Sequence, residues 1–141
     1  MNNLKVGDGP FTGSHVKIIQ QLFGKSVGQN RHGVYKIKEN KWVSFIYLAI
    51  QRPNGEWTLP PKVVSNYLNK PNSDNSEFIR ECYDEKLNKL FTDPADEYAV
   101  FTKTDLGCFF YGIFKLKAVK RDYIECVFKR INTELDFEEW K

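Results

Sequence analysis

The sequence predicts an α+β fold: a single domain on a mostly antiparallel, curled sheet of about six strands, with two long helices packed against it and a short C-terminal helix. Three observations predict it. Apolar residues alternate or run together through 34–51 and 98–131, as strands require, and recur at i, i+3 and i+4 through 13–23 and 77–91, as on a helix face. Aromatic residues make up 15% of the chain, with 11 Phe and 7 Tyr, side chains suited to a β-rich core. A chain of 141 residues with 41% hydrophobic composition is the size of one domain that buries its own core.

The elements follow in order. Residues 1–11 contain Gly7, Gly9 and Pro10 and read as a flexible N-terminal arm. Val16, Ile18, Ile19, Leu22 and Phe23 then share one helical face, which predicts a helix over 13–23 with Thr12 or Ser14 as N-cap and Gly24 as its stop. His15 and Lys17 fall off that face and are expected in solvent. Residues 25–32 are a polar loop whose Arg31 is a candidate anion contact. Val34–Lys38 and Trp42–Gln51 read as two strands, the second apolar enough to be buried on both faces. The turn Arg52-Pro53-Asn54-Gly55 leads to a returning strand at Glu56–Leu59. Helical spacing over Val63–Leu68 gives a short helix, and Ser76 caps a long one over Glu77–Phe91 with a charged outer face.

The richest stretch is Tyr98–Ile131, read as a three-stranded antiparallel meander with turns at 104–107 and 119–122. On its middle strand, alternation puts Cys108, Phe110, Gly112, Phe114 and Leu116 on a core face, and Phe109, Tyr111, Ile113, Lys115 and Lys117 on the other. The second set joins aromatic rings, which stack on unpaired bases, to ammonium groups, which neutralise phosphates. Lys103 and Lys129 extend it from the flanking strands, and Lys120 and Arg121 from the adjoining turn. The competing reading is that both faces are covered and the lysines only solvate strand ends. After Thr133, Leu135, Phe137 and Trp140 predict a short acidic helix docked on the sheet.

Charge is segregated along the chain. The net value is +3, but residues 1–70 carry ten Lys or Arg against three acids and residues 71–99 carry three against eight. Three cysteines at 82, 108 and 126 match neither a disulfide framework nor paired zinc ligands. No apolar leader opens the sequence and no run approaches the roughly 20 residues of a membrane helix, so a cytoplasmic protein with no membrane partner is expected. The two histidines lack ligand-spaced neighbours, and no cofactor or metal is expected.

Two motifs resemble known families. Leu106-Gly107-Cys108-Phe109-Phe110-Tyr111-Gly112-Ile113-Phe114 is loosely similar to the aromatic strand of RNA-recognition motifs, without the basic residue before the glycine. Gly33-Val34-Tyr35, with Tyr47-Leu48-Ala49 after it, resembles the opening of GIY-YIG nucleases, with Ala49 at the place of the closing glycine. That resemblance implies two tyrosines flanking a metal-assisted phosphodiester cleavage, with a carboxylate drawn from Glu77, Glu81 or Glu85. The leading expectation is a non-catalytic domain binding DNA or RNA through Phe109, Tyr111 and the basic residues named above. The alternatives are a protein-interaction module, an adaptor or inhibitor, and a degenerate nuclease of the GIY-YIG kind.

Overall fold

A computed structural model describes residues 3–30, 33–50, 65–69, 77–82, 92–120 and 125–141. Their elements in chain order are β1 (Asn3–Lys5), α1 (His15–Phe23), β2 (Val34–Lys38), β3 (Lys41–Ile46), β4 (Leu48–Ile50), β5 (Ser65–Asn69), β6 (Glu77–Cys82), β7 (Glu97–Thr104), β8 (Gly107–Lys120), β9 (Glu125–Asn132) and β10 (Glu134–Asp136). This corrects the α+β expectation. The described residues are dominated by strands, and the one helix among them has 9 residues. Contacts divide the chain into two compact units: Met1–Ile46, Glu97–Phe114 and Ile131–Lys141 form the first, Tyr47–Asp96 and Lys115–Arg130 the second.

In the first unit, α1 begins where the Ser14 side chain accepts a hydrogen bond from the Lys17 N–H at 3.2 Å. It ends where Gly24 takes the left-handed conformation, φ 65°, and donates its N–H to the Gln20 carbonyl. Ile18, Ile19 and Phe23 are its buried face. Strands β2 and β3 form an antiparallel hairpin turned at Asn40, whose φ of 60° a short polar side chain tolerates. Strand β3 then pairs in parallel with β7, with Phe45 opposite Phe101. Alternation sends Tyr35, Ile37, Val43, Phe45, Ala99 and Phe101 into the same core as the buried face of α1. There Phe101 stacks on Phe45 at 5.4 Å between centroids and tilts against Phe110 at 5.5 Å.

Three expectations change in this unit. The arm is tied down: β1 pairs antiparallel with β10, Leu4 is fully buried, and Phe11 exchanges two backbone hydrogen bonds of 2.8 Å with Cys108. The tail is the strand β10 followed by turns, not a helix, because β1 supplies a pairing edge that outweighs local helical spacing. Its Leu135 and Trp140 are nonetheless buried, Trp140 against Phe23. The continuous strand expected over 42–51 is interrupted at Tyr47, and its halves β3 and β4 pair with different partners, β7 and β5.

In the second unit, β6 pairs antiparallel with both β5 and β9, and β5 pairs in parallel with β4. Residues 77–82, expected to open a long helix, are therefore strand. Phe78 lies directly opposite Phe128 and the rings stack at 5.2 Å, a cross-strand contact that local sequence does not announce. Ser65–Asn69 is likewise strand where a short helix was expected. The expected strand at 56–59 and the remainder of the long helix, 83–91, lie outside the described residues. No helix among the described residues is long and apolar enough to cross a membrane.

Candidate nucleic-acid interface

Strand β8 follows the predicted alternation only as far as Gly112. Cys108 and Phe110 are buried while Phe109 and Tyr111 are half-buried, as two-residue periodicity demands. At Gly112 the backbone takes φ 123°, a conformation glycine adopts without strain, and three consecutive residues, Gly112 to Phe114, are buried. Ile113 is thereby drawn into the interior at 4% exposure, leaving the set with which it was grouped.

The two aromatic members are partly covered. A Cβ on Gly9 would stand 2.9 Å from the Phe109 ring, so that ring packs on the N-terminal segment. Tyr111 stacks on Phe114 at 5.4 Å and 14°. Both belong to the first unit, with Lys103.

Lys115, Lys117, Lys120 and Lys129 belong to the second unit. Lys115 and Lys117 share a face of β8 by alternation. Lys117 forms an ion pair with Glu77, and the register places Glu77 opposite Lys129, so Lys117, Lys129 and Glu77 lie on one face. Lys120 is exposed near the end of β8. Arg31 and Arg121 lie outside the described residues.

The first unit also carries an open cleft of about 250 Å³ at the β7–β8 turn, where Lys103, Asp105, Leu106 and Cys108 face Phe11 and Thr12. Near it stands a histidine that sequence reasoning assigned to solvent. His15 is half-buried, stacked flat on Phe45 at 4.2 Å and 2°, with Nδ1 2.9 Å from the Tyr35 hydroxyl. The Asn30 backbone hydrogen-bonds the same hydroxyl. With the Asn30 N–H donating to it, Tyr35 is left to donate its own proton to Nδ1. Burial, reinforced by the charge of Lys103, lowers the His15 pKa from 6.5 to about 4, so the ring is neutral at pH 7. Burial raises the Tyr35 hydroxyl, against the Asn30 hydrogen bond, and raises the Cys108 thiol, against Lys103. Both stay protonated, which makes them poor nucleophiles.

The nuclease-like motif is distributed between the units. Tyr35 is 3% exposed in the first, Tyr47 is 40% exposed in the second, and the ion-paired Glu77, half-buried, also belongs to the second. The Glu81 side chain and Glu85 lie outside the described residues. Among the described residues no group of three or more His, Cys, Asp or Glu converges as a metal site. Phe11, His15 and Leu106 are the neighbours of the cleft that local pattern did not mark; only tertiary pairing brings the first to β8.

No family model matches the sequence, and no curated protein matches it. Among solved structures it is similar to the 5-hydroxymethylcytosine-specific restriction enzyme AbaSI, with a TM-score of 0.57 at 17% identity. The likeness covers 85% of this chain and 38% of that enzyme's, so the chain spans well under half of the enzyme's length. At that identity the likeness is one of fold.

Proposed function

We propose that this chain is a nucleic-acid-binding domain that engages DNA through a basic strip on β8 and β9. The observation that carries the reading is the face that Lys117 and Lys129 share around Glu77 in the second unit, with Lys115 on the Lys117 side of β8 by alternation and Lys120 exposed near the strand end. A strip of ammonium groups set along a strand neutralises successive phosphates, and this term provides most of sequence-independent affinity. Glu77 tempers it locally by pairing with Lys117. DNA is preferred to RNA because the fold is similar to that of a restriction enzyme specific for a DNA base. Half-buried Phe109 and Tyr111 have a supporting part in this reading, as a firm backing for β8, in place of the fully open stacking platform that alternation suggested.

Fluorescence anisotropy of a labelled duplex at about 50 mM salt, where phosphate-driven binding is strong, tests the proposal. Binding that weakens several-fold in Lys120→Glu and further in Lys115→Glu with Lys129→Glu is expected. Absence of binding by the parent chain would end it. A catalytic reading draws on the same fold likeness and on the exposed Tyr47 of the second unit. Strand scission of the duplex with added Mg²⁺, lost in Tyr47→Phe, would establish it.

A further inference from the structure

Every residue that lines the cleft at the β7–β8 turn belongs to the first unit, whereas the basic strip belongs to the second. The walls of the cleft are fixed to each other. Phe11 exchanges backbone hydrogen bonds of 2.8 Å with Cys108, and its ring meets Phe101 edge to face at 6.0 Å. Gly107, at φ 131°, lies so close to the same segment that a Cβ there would stand 2.7 Å from the Phe11 carbonyl oxygen. The turn itself is held by Thr104, whose hydroxyl accepts the Leu106 N–H at 3.2 Å and donates to the Gly107 carbonyl at 2.9 Å. The cleft is therefore formed before any ligand arrives, as small-molecule sites usually are.

Its lining joins apolar surface to two opposite charges. Phe11, Cys108 and Leu106 supply the apolar part, and Leu106 stands 72% exposed, area that a ligand seated beside it would remove from water. Lys103 and Asp105 bring an ammonium and a carboxylate to the same opening. The Lys103 charge acts on both Cys108 and His15, which places it toward the interior, while Asp105 is exposed. The two do not pair with each other, and Asp105 forms no ion pair or hydrogen bond among the described residues. A simple anion is attracted by one of these charges and repelled by the other, and a simple cation the reverse. A ligand that carries both charges meets both. At about 250 Å³ the cleft falls just below the roughly 300 Å³ at which pockets for drug-sized ligands begin, so its occupant is the size of a small metabolite. We infer that this cleft binds a small zwitterion of the α-amino acid class with an apolar side chain, its carboxylate on Lys103, its ammonium on Asp105 and its side chain against Phe11 and Leu106.

The test is a titration of the full, ¹⁵N-labelled chain with L-phenylalanine, followed by amide NMR. Saturable shifts at Gly13, Leu106 and Gly107 are expected, with a dissociation constant of about 1 mM or tighter. Phenylacetate, which lacks the ammonium, and phenethylamine, which lacks the carboxylate, are each expected to bind about tenfold more weakly, the loss of one charge-assisted contact. Lys103→Gln and Asp105→Asn are each expected to weaken L-phenylalanine by the same factor, and Asp105→Asn to leave phenylacetate no weaker. The amide spectra of the free variants verify that both remain folded. Phenylacetate binding as tightly as L-phenylalanine overturns the zwitterion in favour of a simple carboxylate, and equal binding of phenethylamine overturns it in favour of an amine. No saturable shift at the three amides with any of the probes overturns the site altogether. Failure of duplex binding ends the DNA reading and leaves each of these outcomes as decisive as before.

Discussion

Acidification offers a direct probe of the His15 arrangement. In the unfolded chain His15 titrates near 6.5, and in the folded chain near 4, because burial and the Lys103 charge disfavour the imidazolium. Between those values the unfolded state binds more protons, so stability falls as pH drops. Its contribution is complete above about pH 6.5 and is lost as the pH falls through about 4. A separation of that size is worth at most about 3.4 kcal/mol, and solvent screening of a half-buried ring reduces it to about 1–2 kcal/mol. Urea melts at several pH values between 7 and 4, on the parent and on His15→Gln, isolate it from the carboxylates that titrate nearby. The parent is expected to lose about 1–2 kcal/mol more than His15→Gln over that window. Parallel profiles would refute the argument that His15 is held neutral against Phe45 and Tyr35.

Other outcomes follow from the packing and the turns. Phe101→Ala, which removes a fully buried ring in contact with Phe11, Phe45 and Phe110, is expected to cost about 3–5 kcal/mol in a denaturant melt. A loss below about 1 kcal/mol, as at surface sites, would contradict the core described for the first unit. Gly107→Ala is expected to destabilise more than Gly7→Ala, because both have positive φ but only Gly107 faces a backbone oxygen at 2.7 Å. Equal costs would mean that the N-terminal segment does not pack on β8. Cys108 and Cys126 are both buried, so a thiol reagent is expected to reach them slowly in the native chain and rapidly in urea. Rapid native labelling of Cys108 would count against its burial in the core of the first unit.

Local signals were legible where one chemical rule decided the outcome. Strand β2 spans Val34–Lys38 as alternation predicts, and α1 stops at Gly24, where a left-handed residue was needed. Consecutive β7, β8 and β9 also occupy neighbouring sheet positions. Residues 77–82 were misread because Phe78, Ile79 and Cys82 fit a helical face, while the decisive partner, Phe128, is distant in sequence. The parallel pairings β3–β7 and β4–β5 join strands far apart in the chain, and no short-range pattern marks them. At the candidate interface, the lysines of β8 could be named from spacing. Gly112 changed one member of the set, since beside its φ of 123° Ile113 is drawn into the interior. His15 escaped notice because its neighbours, Phe45 and Tyr35, come from strands that only the tertiary fold brings to it.

The central claim, a basic strip on β8 and β9 that binds DNA, is tested most directly by the salt dependence of duplex affinity. Three to four phosphate contacts predict a slope of about −3 in log K against log salt, a loss of roughly 50- to 150-fold between 50 and 200 mM. Lys120→Glu is expected to flatten that slope by about one contact. An affinity that does not change with salt, or a slope that Lys120→Glu, Lys115→Glu and Lys129→Glu all leave unaltered, would contradict it.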